Sequence, residues 1–523
     1  SGNKRYDPGN YFHNLVYPDF VTQTYGTDST YLVNVPHPNA GENIPDGFQN
    51  WFNTYALRAK FTTPKSEIGF FLWDNKRANG SFIGAHAYDV TKEWHQAHFR
   101  GYHLYLKNSD KLSPKTTLKS NLVYRETSIL PETGFSYTYR FPNLVKSYKA
   151  YSAQAYIEEI LNYNFGPRGD FLVGIKLTAS SKSPRTVSLD DQSANSSRTE
   201  SSWDEANMGH GLGIPKDYSS IRVWEQAVYG LFNYQIMSKL SCSIGLRFDH
   251  SSEYGNILNP RLGLIYKLSP DLGFKLLYGT AFRQPSVFEM NDEFRGNPDL
   301  DPERIRTYEF ETNYNLSNKM GFRFNIFYSK MTDFIDKISV PIDVKLSGQI
   351  YANISKYETR GISFYWNYQI LENLSLYSNY MFLQGKGEFD THWHDITHTA
   401  RHKLNAGMNW MGFGKNLNVN LRMNYVGKRK AHPENVWINN HYDGYAPSYV
   451  KFHLAVMFLQ FSKIKLQLSI NNLFDTQYFG VGREDGSTDM DSYDPHILYN
   501  GKYKAAYHPQ PGRTIMLSLK IDL

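Results

Sequence analysis

Apolar and polar residues alternate along most of this chain, which is the pattern of strands that bury one face only. The stretch from Asn259 to Glu311 shows the pattern in two successive strands joined by the short turn at residues 269–271. The apolar phase of the two strands consists of Leu262, Leu264, Tyr266 and Leu268, then Phe274, Leu276, Tyr278 and Phe282. A long polar loop follows before the alternation resumes at Tyr308. Short turns at one end and long loops at the other are typical of transmembrane β-barrels.

The polar phase of these strands decides between a soluble and a membrane barrel. In one downstream strand the apolar phase is Leu417, Val419, Leu421 and Met423, and the polar phase is Asn418, Asn420, Arg422 and Asn424. Amides and guanidinium groups are too hydrophilic for a packed core, so this face must line water or a polar plug. We therefore predict an all-β, antiparallel transmembrane β-barrel; a soluble β-sandwich or propeller is the alternative.

The alternation also divides the chain into regions. Residues 1–50 are rich in Gly, Pro, Asn and Asp, and we predict mostly extracellular loop there, with at most the end of an early barrel strand. Residues 51–523 are predicted to form the barrel, with about 19 strands. The stretch 151–165 is the least regular, because Glu159 falls on its apolar phase. A charge facing lipid is costly near the bilayer midplane and cheap near the interface.

The amino-acid composition of the chain further limits the class of protein to which it can belong. Hydrophobic residues make up 41% of the 523 residues and the mean hydropathy is -0.54, which excludes a helical membrane protein. Aromatic residues make up 16%, which suits interfacial girdles of a barrel. The lone Cys242 permits no intrachain disulfide, and the net charge of +6 is small and interspersed, so we expect no nucleic-acid partner. We find no catalytic signature and predict that the protein is not an enzyme.

Several motifs occur in an order that is similar to that of TonB-dependent outer-membrane receptors. They are NPRLGLIY, YGTAFRQPS, GNPDLDPER, SINNLFDTQYF and the terminal strand GRTIMLSLKIDL. The residues that carry the resemblance are Phe282, Arg283, Pro285, Asn297, Pro298, Leu300, Asn471, Asn472, Leu473 and Phe474. The resemblance covers the chain from about Trp51 to the C-terminus.

The resemblance implies a barrel of the 22-strand type in the outer membrane of a Gram-negative bacterium. It implies energised import of a scarce, bulky ligand through a plug that contacts the TonB complex. The plug and the first strands are expected to be missing from this sequence, and a separate chain or a surface lipoprotein can complete the assembly. An iron chelate, either a ferric siderophore or haem, is the preferred ligand; cobalamin and oligosaccharide are alternatives. A plug-free passive pore or a surface-binding protein is the rival function.

The resemblance also sets the orientation, because the C-terminus of these receptors is periplasmic. The predicted periplasmic turns are Glu372-Asn373, Gly414-Lys415 and Ser462. The predicted extracellular loops are 286–304, 339–358, 387–402, 430–448 and 480–511.

A histidine-rich loop is the best local candidate for ligand contact. Its sequence is THWHDITHTARHK, and its candidate residues are His392, Trp393, His394 and His398. Imidazoles at this density can bind a metal chelate or a metal ion through His392, His394 and His398, with Asp395 orienting one ring. The neighbouring loop adds His432, Trp437 and His441. A solvated loop without a ligand is the alternative.

Two further features bear on the ligand. Haem receptors of this family carry a histidine between the boxes that here read Phe282-Arg283-Gln284-Pro285 and Asn297-Pro298-Asp299-Leu300, and the intervening segment SVFEMNDEFRG has none. The last loop, 480–511, contains four aspartates that make it a candidate Ca²⁺ site, and Tyr493 and Tyr499 are candidate ligand contacts. No tightly bound cofactor is expected.

Overall fold

The computed structural model describes residues 3–4, 20–24, 32–36, 51–78, 96–133, 148–182, 187–188, 220–291, 295–341, 349–389, 392–432, 438–439, 443–461, 464–481, 507–509 and 512–521. In these residues no helix is long and apolar enough to cross a membrane. The described residues include a short α-helix, α1 (Val287–Asn291), two helical residues at 438–439, and a 3-10 turn at Phe413–Lys415.

Almost all of the described structure consists of β-strands. In chain order they are β1 (Asn3–Lys4), β2 (Phe20–Thr24), β3 (Leu32–Pro36), β4 (Trp51–Thr62), β5 (Ser66–Ala78), β6 (Gln96–Lys111), β7 (Thr116–Thr133), β8 (Tyr148–Asn164), β9 (Gly169–Lys182), β10 (Val187–Ser188), β11 (Ile221–Met237), β12 (Leu240–Ser251), β13 (Gly255–Lys267), β14 (Leu272–Arg283), β15 (Glu303–Ser317), β16 (Met320–Ser339), β17 (Gln349–Leu371), β18 (Leu374–Phe389), β19 (His392–Asp395), β20 (His402–Gly412), β21 (Leu417–Val426), β22 (Arg429–Lys430), β23 (Tyr445–Ala446), β24 (Tyr449–Phe461), β25 (Ile464–Asn471), β26 (Phe479–Val481), β27 (Tyr507–Pro509) and β28 (Thr514–Ile521).

Nine of these strands have at most five residues, and the other nineteen, of 8 to 23 residues, form one antiparallel sheet. From β4 to β28, every long strand pairs with the next long strand in the chain. This up-and-down order and the number of strands confirm the predicted barrel architecture. The prediction that a plug and further strands complete the barrel stays a prediction.

The pairing register places the apolar phase of each strand on the outer face. Leu57, Ile175 and Leu276 are 57%, 52% and 56% exposed, as expected of side chains that face lipid. The register of β8 against β7 and β9 is regular around Glu159, so this carboxylate does face outward. It accepts a hydrogen bond of 2.6 Å from the Ser120 hydroxyl, and β8 continues from it to Asn164.

The long connections lie at one end of the sheet, which we call the external end, and the short turns lie at the other. Residues 372–373 form the tight β17–β18 turn, and the 3-10 turn occupies the predicted turn at 414–415; Ser462 lies outside the described residues. The loops 339–358 and 387–402 are shorter than predicted, because β17 begins at Gln349 and β18 and β19 continue the sheet to Asp395. In β18, residues 384–388 are Gln, Lys, Glu or Gly, so no apolar alternation marked that extension.

On the inner face, aromatic rings lie across glycines of the neighbouring strand. Six such directly paired positions occur in the described sheet: Gly69–Tyr105, Gly101–Trp73, Gly174–Tyr229, Gly361–Phe327, Gly387–Tyr357 and Gly407–Tyr377. A Cβ atom on any of these glycines would overlap the ring. The missing side chain therefore makes room for a ring that lies flat against the barrel wall.

Candidate functional site

An ion-pair cluster fixes the loop that follows β14 at the external end. The Arg283 guanidinium donates to Glu303 through Nε and Nη2, both at 2.6 Å, and to Glu289 at 3.0 and 3.2 Å. Glu303 is only 5% exposed and also accepts the backbone N–H of Ile335 at 3.0 Å. Bidentate charge-assisted bonds are strong and directional, so Arg283 holds β14, β15, β16 and the intervening loop together.

Helix α1 is positioned by a capping box immediately after Pro285. The Ser286 hydroxyl accepts the N–H of Glu289 at 3.1 Å, and the Glu289 carboxylate accepts the N–H of Ser286 at 2.7 Å. Burial alone would raise the pKa of the Glu289 carboxyl, but hydrogen bonds from Arg283 and Ser286 hold it below its usual value. The carboxylate therefore stays charged and bound to Arg283 at neutral pH.

The second box of this loop is fastened to the extended β16–β17 hairpin. The Asn297 amide donates to the Tyr351 carbonyl at 2.9 Å and accepts the N–H of Asp299 at 3.0 Å. Leu300 is buried in a small core that also contains Met290, Ile335 and Tyr351. Pro298 is exposed at the turn. These contacts give Asn297 and Leu300 a structural role, because they hold the loop at the external mouth against the β16–β17 hairpin.

A recess lies in the barrel wall where the pairing of β13 with β14 ends. The β13–β14 register stops at Arg261–Gly279, next to Pro260, which has no N–H to donate. The opening has a volume of 530 Å³, and its lining includes Asn259, Arg261, Thr280, Phe282 and residues of β9, β11 and β12. This is the size of a small-molecule pocket.

Hydrogen-bond donors in the lining of the recess indicate which ligand atoms it can bind. Asn259 is 7% exposed, its side-chain oxygen accepts the Thr280 hydroxyl at 3.3 Å, and its Nδ2 has no hydrogen-bond partner in the described structure. The Arg261 guanidinium is exposed beside it. A buried amide without a partner is costly, so a ligand oxygen that accepts from Nδ2 would be stabilised here.

The histidine-rich loop is placed at the mouth but does not assemble a metal site. His392, Trp393 and His394 are exposed on β19, and His398 follows with a positive φ of 61° and an N–H that donates to the Lys430 carbonyl at 2.7 Å. In the described residues no group of three or more His, Cys, Asp or Glu side chains is arranged to hold a metal ion. The pocket beside this loop has a volume of 20 Å³, room for about one water molecule.

Asp395, which was predicted to orient one of these imidazoles, binds an arginine side chain. The Asp395 carboxylate accepts a hydrogen bond of 2.7 Å from Arg401, so the expectation that it orients an imidazole is not supported. His432 is half-buried, and its carbonyl accepts from the Asn439 amide at 3.1 Å. Trp437, His441, Tyr493 and Tyr499, and the aspartates of the last loop, lie outside the described residues.

The SINNLF box forms a tight turn after β25. Asn472 is buried with a positive φ of 54°, and its amide both donates to the Thr476 carbonyl at 2.8 Å and accepts the Thr476 N–H at 2.9 Å. Leu473 donates its N–H to the Phe452 carbonyl at 2.7 Å, and Phe474 packs edge-on against the Phe452 ring. The side-chain oxygen of Asn471 accepts a hydrogen bond from Nδ1 of His453 at 3.2 Å on the inner face. The box thus joins two strands at the external end.

Apart from Arg283, sequence reasoning missed the ionic and capping residues that make the mouth rigid. The Ser286–Glu289 spacing is a capping-box signal that could have placed α1, because the two residues are three positions apart. Glu303 and Asn259 carry no local signal, since their roles depend on strand pairing.

Comparison with known proteins places these features in a family. The family model described as TonB dependent receptor-like, beta-barrel matches residues 10–473. An iron-regulated outer membrane virulence protein of Vibrio cholerae is 25% identical over 264 residues, which are 47% of this chain and 40% of that protein. The ferric enterobactin receptor of Pseudomonas aeruginosa is 23% identical over 366 residues, which are 63% of this chain and 46% of that protein.

The fold agrees with a solved structure. A crystal structure of the Pseudomonas aeruginosa ferric enterobactin receptor superimposes with a TM-score of 0.67 at 15% identity, over 91% of this chain and 71% of that one. The aligned regions span less than half the length of the two curated relatives. With a matching family model over most of its length and the same fold, the chain belongs to the TonB-dependent receptor-like β-barrel family.

Proposed function

We propose that this chain forms the barrel of an outer-membrane receptor that imports an iron chelate too bulky for passive pores. The observation that carries the proposal is the similarity to curated receptors whose names refer to iron, over up to 63% of the chain. The family resides in the outer membrane of Gram-negative bacteria, so the chain is a multi-strand membrane protein of that compartment. Energy would come from the TonB complex through a plug domain.

The mouth supports this proposal. Arg283, Glu289 and Glu303 hold the loops at the external mouth in place, and preorganised loops lose little entropy when a ligand binds. Because the segment between the two boxes has no histidine, a ferric siderophore fits the sequence better than haem does.

The test is uptake of radioactive iron by cells that carry or lack the gene, grown under iron limitation. We expect uptake of a ferric siderophore that needs both the gene and TonB. Uptake that persists without TonB would instead indicate a passive pore. Uptake of labelled cobalamin but not of iron would identify a different ligand and contradict the proposal.

We also infer that the ligand first meets the external loops, including His392, His394 and His398, with Trp393, His432, Trp437 and His441 as neighbours. Indole and imidazole suit a flat aromatic or metal-chelate ligand. Replacing His392, His394 and His398 by Ala should weaken ligand binding by whole cells. Unchanged binding would remove this loop from the site and leave Tyr493 and Tyr499 as the next candidates.

A further inference from the structure

One sector of the inner wall carries cations and amides but no carboxylate. We define the basic sector as the inner-face positions of β18, β20, β21, β24 and β25 in the described structure. Its cationic side chains are Lys403, Arg422, Lys451 and Lys465. No Asp or Glu occupies an inner-face position of these described strands, where the polar positions are mostly Asn, Gln and Ser.

Asparagine side chains in this sector are hydrogen-bonded in rows across the strands. Asn424 donates to Asn405, and Asn405 donates to Asn379 at 2.7 Å. The register places Lys451 directly beside Asn424 at the end of this row, and Arg422 beside His453 in the next row. The sector therefore presents hydrogen-bonded amide groups with positive side chains beside them.

Lys451 lies at the external end of the sector among aromatic rings. Its Nζ is 3.9 Å from the centroid of the Tyr478 ring and 5.5 Å from that of Tyr449. The two rings are 4.7 Å apart, and the Arg429 guanidinium lies 5.1 Å from the Tyr449 ring. Aromatic faces stabilise the ammonium group without neutralising its charge. A positive charge thus faces the entrance of the lumen.

Elsewhere in the wall, some inner-face cations are paired with carboxylates. Lys60 is 3.1 Å from Glu67, and Lys275 is 2.8 Å from Glu311. In the described structure neither Arg422 nor Lys451 has a carboxylate within ion-pair distance. Uncompensated charges of one sign on the wall of a cleft focus the electrostatic potential and raise the local concentration of opposite charge.

We propose that the basic sector is the face along which the imported ligand enters the lumen, and that it selects iron chelates of net negative charge. This inference rests on the proposed function and adds the charge class of the ligand. Oxygen atoms of carboxylate or phenolate groups would pair with Arg422 and Lys451 and accept hydrogen bonds from the asparagine rows. A neutral or cationic chelate finds no such partner on this face.

The test compares two chelates of opposite charge in cells that produce the receptor. The probes are tris(catecholato)iron(III), which is anionic, and ferrioxamine, which is cationic. The double variant Arg422→Gln/Lys451→Gln should bind the anionic chelate about tenfold more weakly, with a smaller dependence on salt, because two charge-assisted contacts are lost. The matched control Lys60→Gln/Lys275→Gln removes the same two charges from compensated pairs, and we expect a change of less than about twofold.

Charge reversal gives a second readout that does not depend on loss of binding. In Arg422→Glu/Lys451→Glu the preference should shift from the anionic chelate to ferrioxamine, while the heat-modifiable mobility of the folded barrel on gels stays unchanged. Two results would overturn the charge selection without contradicting iron import. One is that the basic-sector and control variants weaken binding equally. The other is that both chelates are imported and neither variant changes their import. Absence of iron uptake by the wild type, with the barrel folded, would overturn the proposed function instead.

Discussion

At the scale of single residues, the external mouth depends on one guanidinium group. Arg283 makes four hydrogen bonds to the two carboxylates Glu289 and Glu303, and Glu303 is almost completely buried. Removing one partner of a buried ion pair is costly because the other charge remains without compensation. The motif that contains Arg283 therefore contributes by keeping the loop after β14 rigid.

Arg283→Gln should destabilise the mouth by about 1–3 kcal/mol, a range that allows for the partial exposure of the arginine. Hydrogen exchange of residues 286–304 should accelerate while the barrel strands stay protected. Arg401→Gln is the control, because its pair with Asp395 is exposed and should contribute at most about 1 kcal/mol. Unchanged exchange in the Arg283 variant would contradict this role of Arg283.

The pH dependence of the mouth follows from Glu289. Its pKa is lowered in the folded loop, so its stabilising contribution is complete above the usual value of 4.5 and is lost as the pH falls through the lowered value. Exchange protection of α1 should therefore be constant from neutral pH to about 5 and decrease only at more acidic pH. In Glu289→Gln this acid transition should be absent.

The effect of the glycine–aromatic pairs can be measured by substituting one glycine that lies beneath a ring and one that does not. Gly101→Ala places a Cβ against the Trp73 ring, and overpacking of this kind should cost about 1–3 kcal/mol. Gly279→Ala is the control, because its Cβ would meet the Arg261 Cγ at 3.9 Å, an ordinary contact. Urea unfolding of the barrel in detergent measures both; equal stability of the two variants would show that the ring can move aside without cost.

At the scale of elements, alternation predicted the strands well where one face meets lipid. The strands β13, β14 and β15 occupy the stretch from which the prediction began. Alternation failed at the external extensions of two strands: in β17 the short apolar phase of Ile350, Ala352 and Ile354 was overlooked, and in β18 residues 384–388 are Gln, Lys, Glu or Gly on both faces. In the β18 extension water contacts both faces, so no apolar phase marks the strand.

The two faces of β21 should respond differently to charge. Leu421 pairs with Leu454 and Met408 on the outer phase, whereas Asn420 lies on the inner phase beside Asn409. Leu421→Arg should therefore destabilise the barrel by about 2–4 kcal/mol if it lies near the bilayer midplane, and Asn420→Arg much less. Reversible unfolding from lipid vesicles gives both values. Equal tolerance would contradict the register of β21.

At the scale of the whole molecule, the sequence predicted the barrel and its family but only part of the candidate site. The motif residues Arg283, Asn297 and Asn472 were found, because their local spacing is characteristic. The recess at Asn259 and the carboxylate-free sector around Arg422 and Lys451 were not, since both arise from side chains that meet only after the strands pair. The histidine loop shows the converse, because closeness along the chain did not bring its imidazoles together into a metal site.

The six glycine–aromatic pairs have a consequence for how the barrel is assembled. If two strands slipped by one residue during insertion, each ring would face a neighbour that carries a side chain, and every lipid-facing residue would turn inward. The pair Gly101–Trp73 joins β5 and β6, and the pair Gly407–Tyr377 joins β18 and β20. Each pair therefore favours the correct register of its own two strands. The glycine–aromatic pairs thus disfavour a shifted register sterically in each hairpin that contains one.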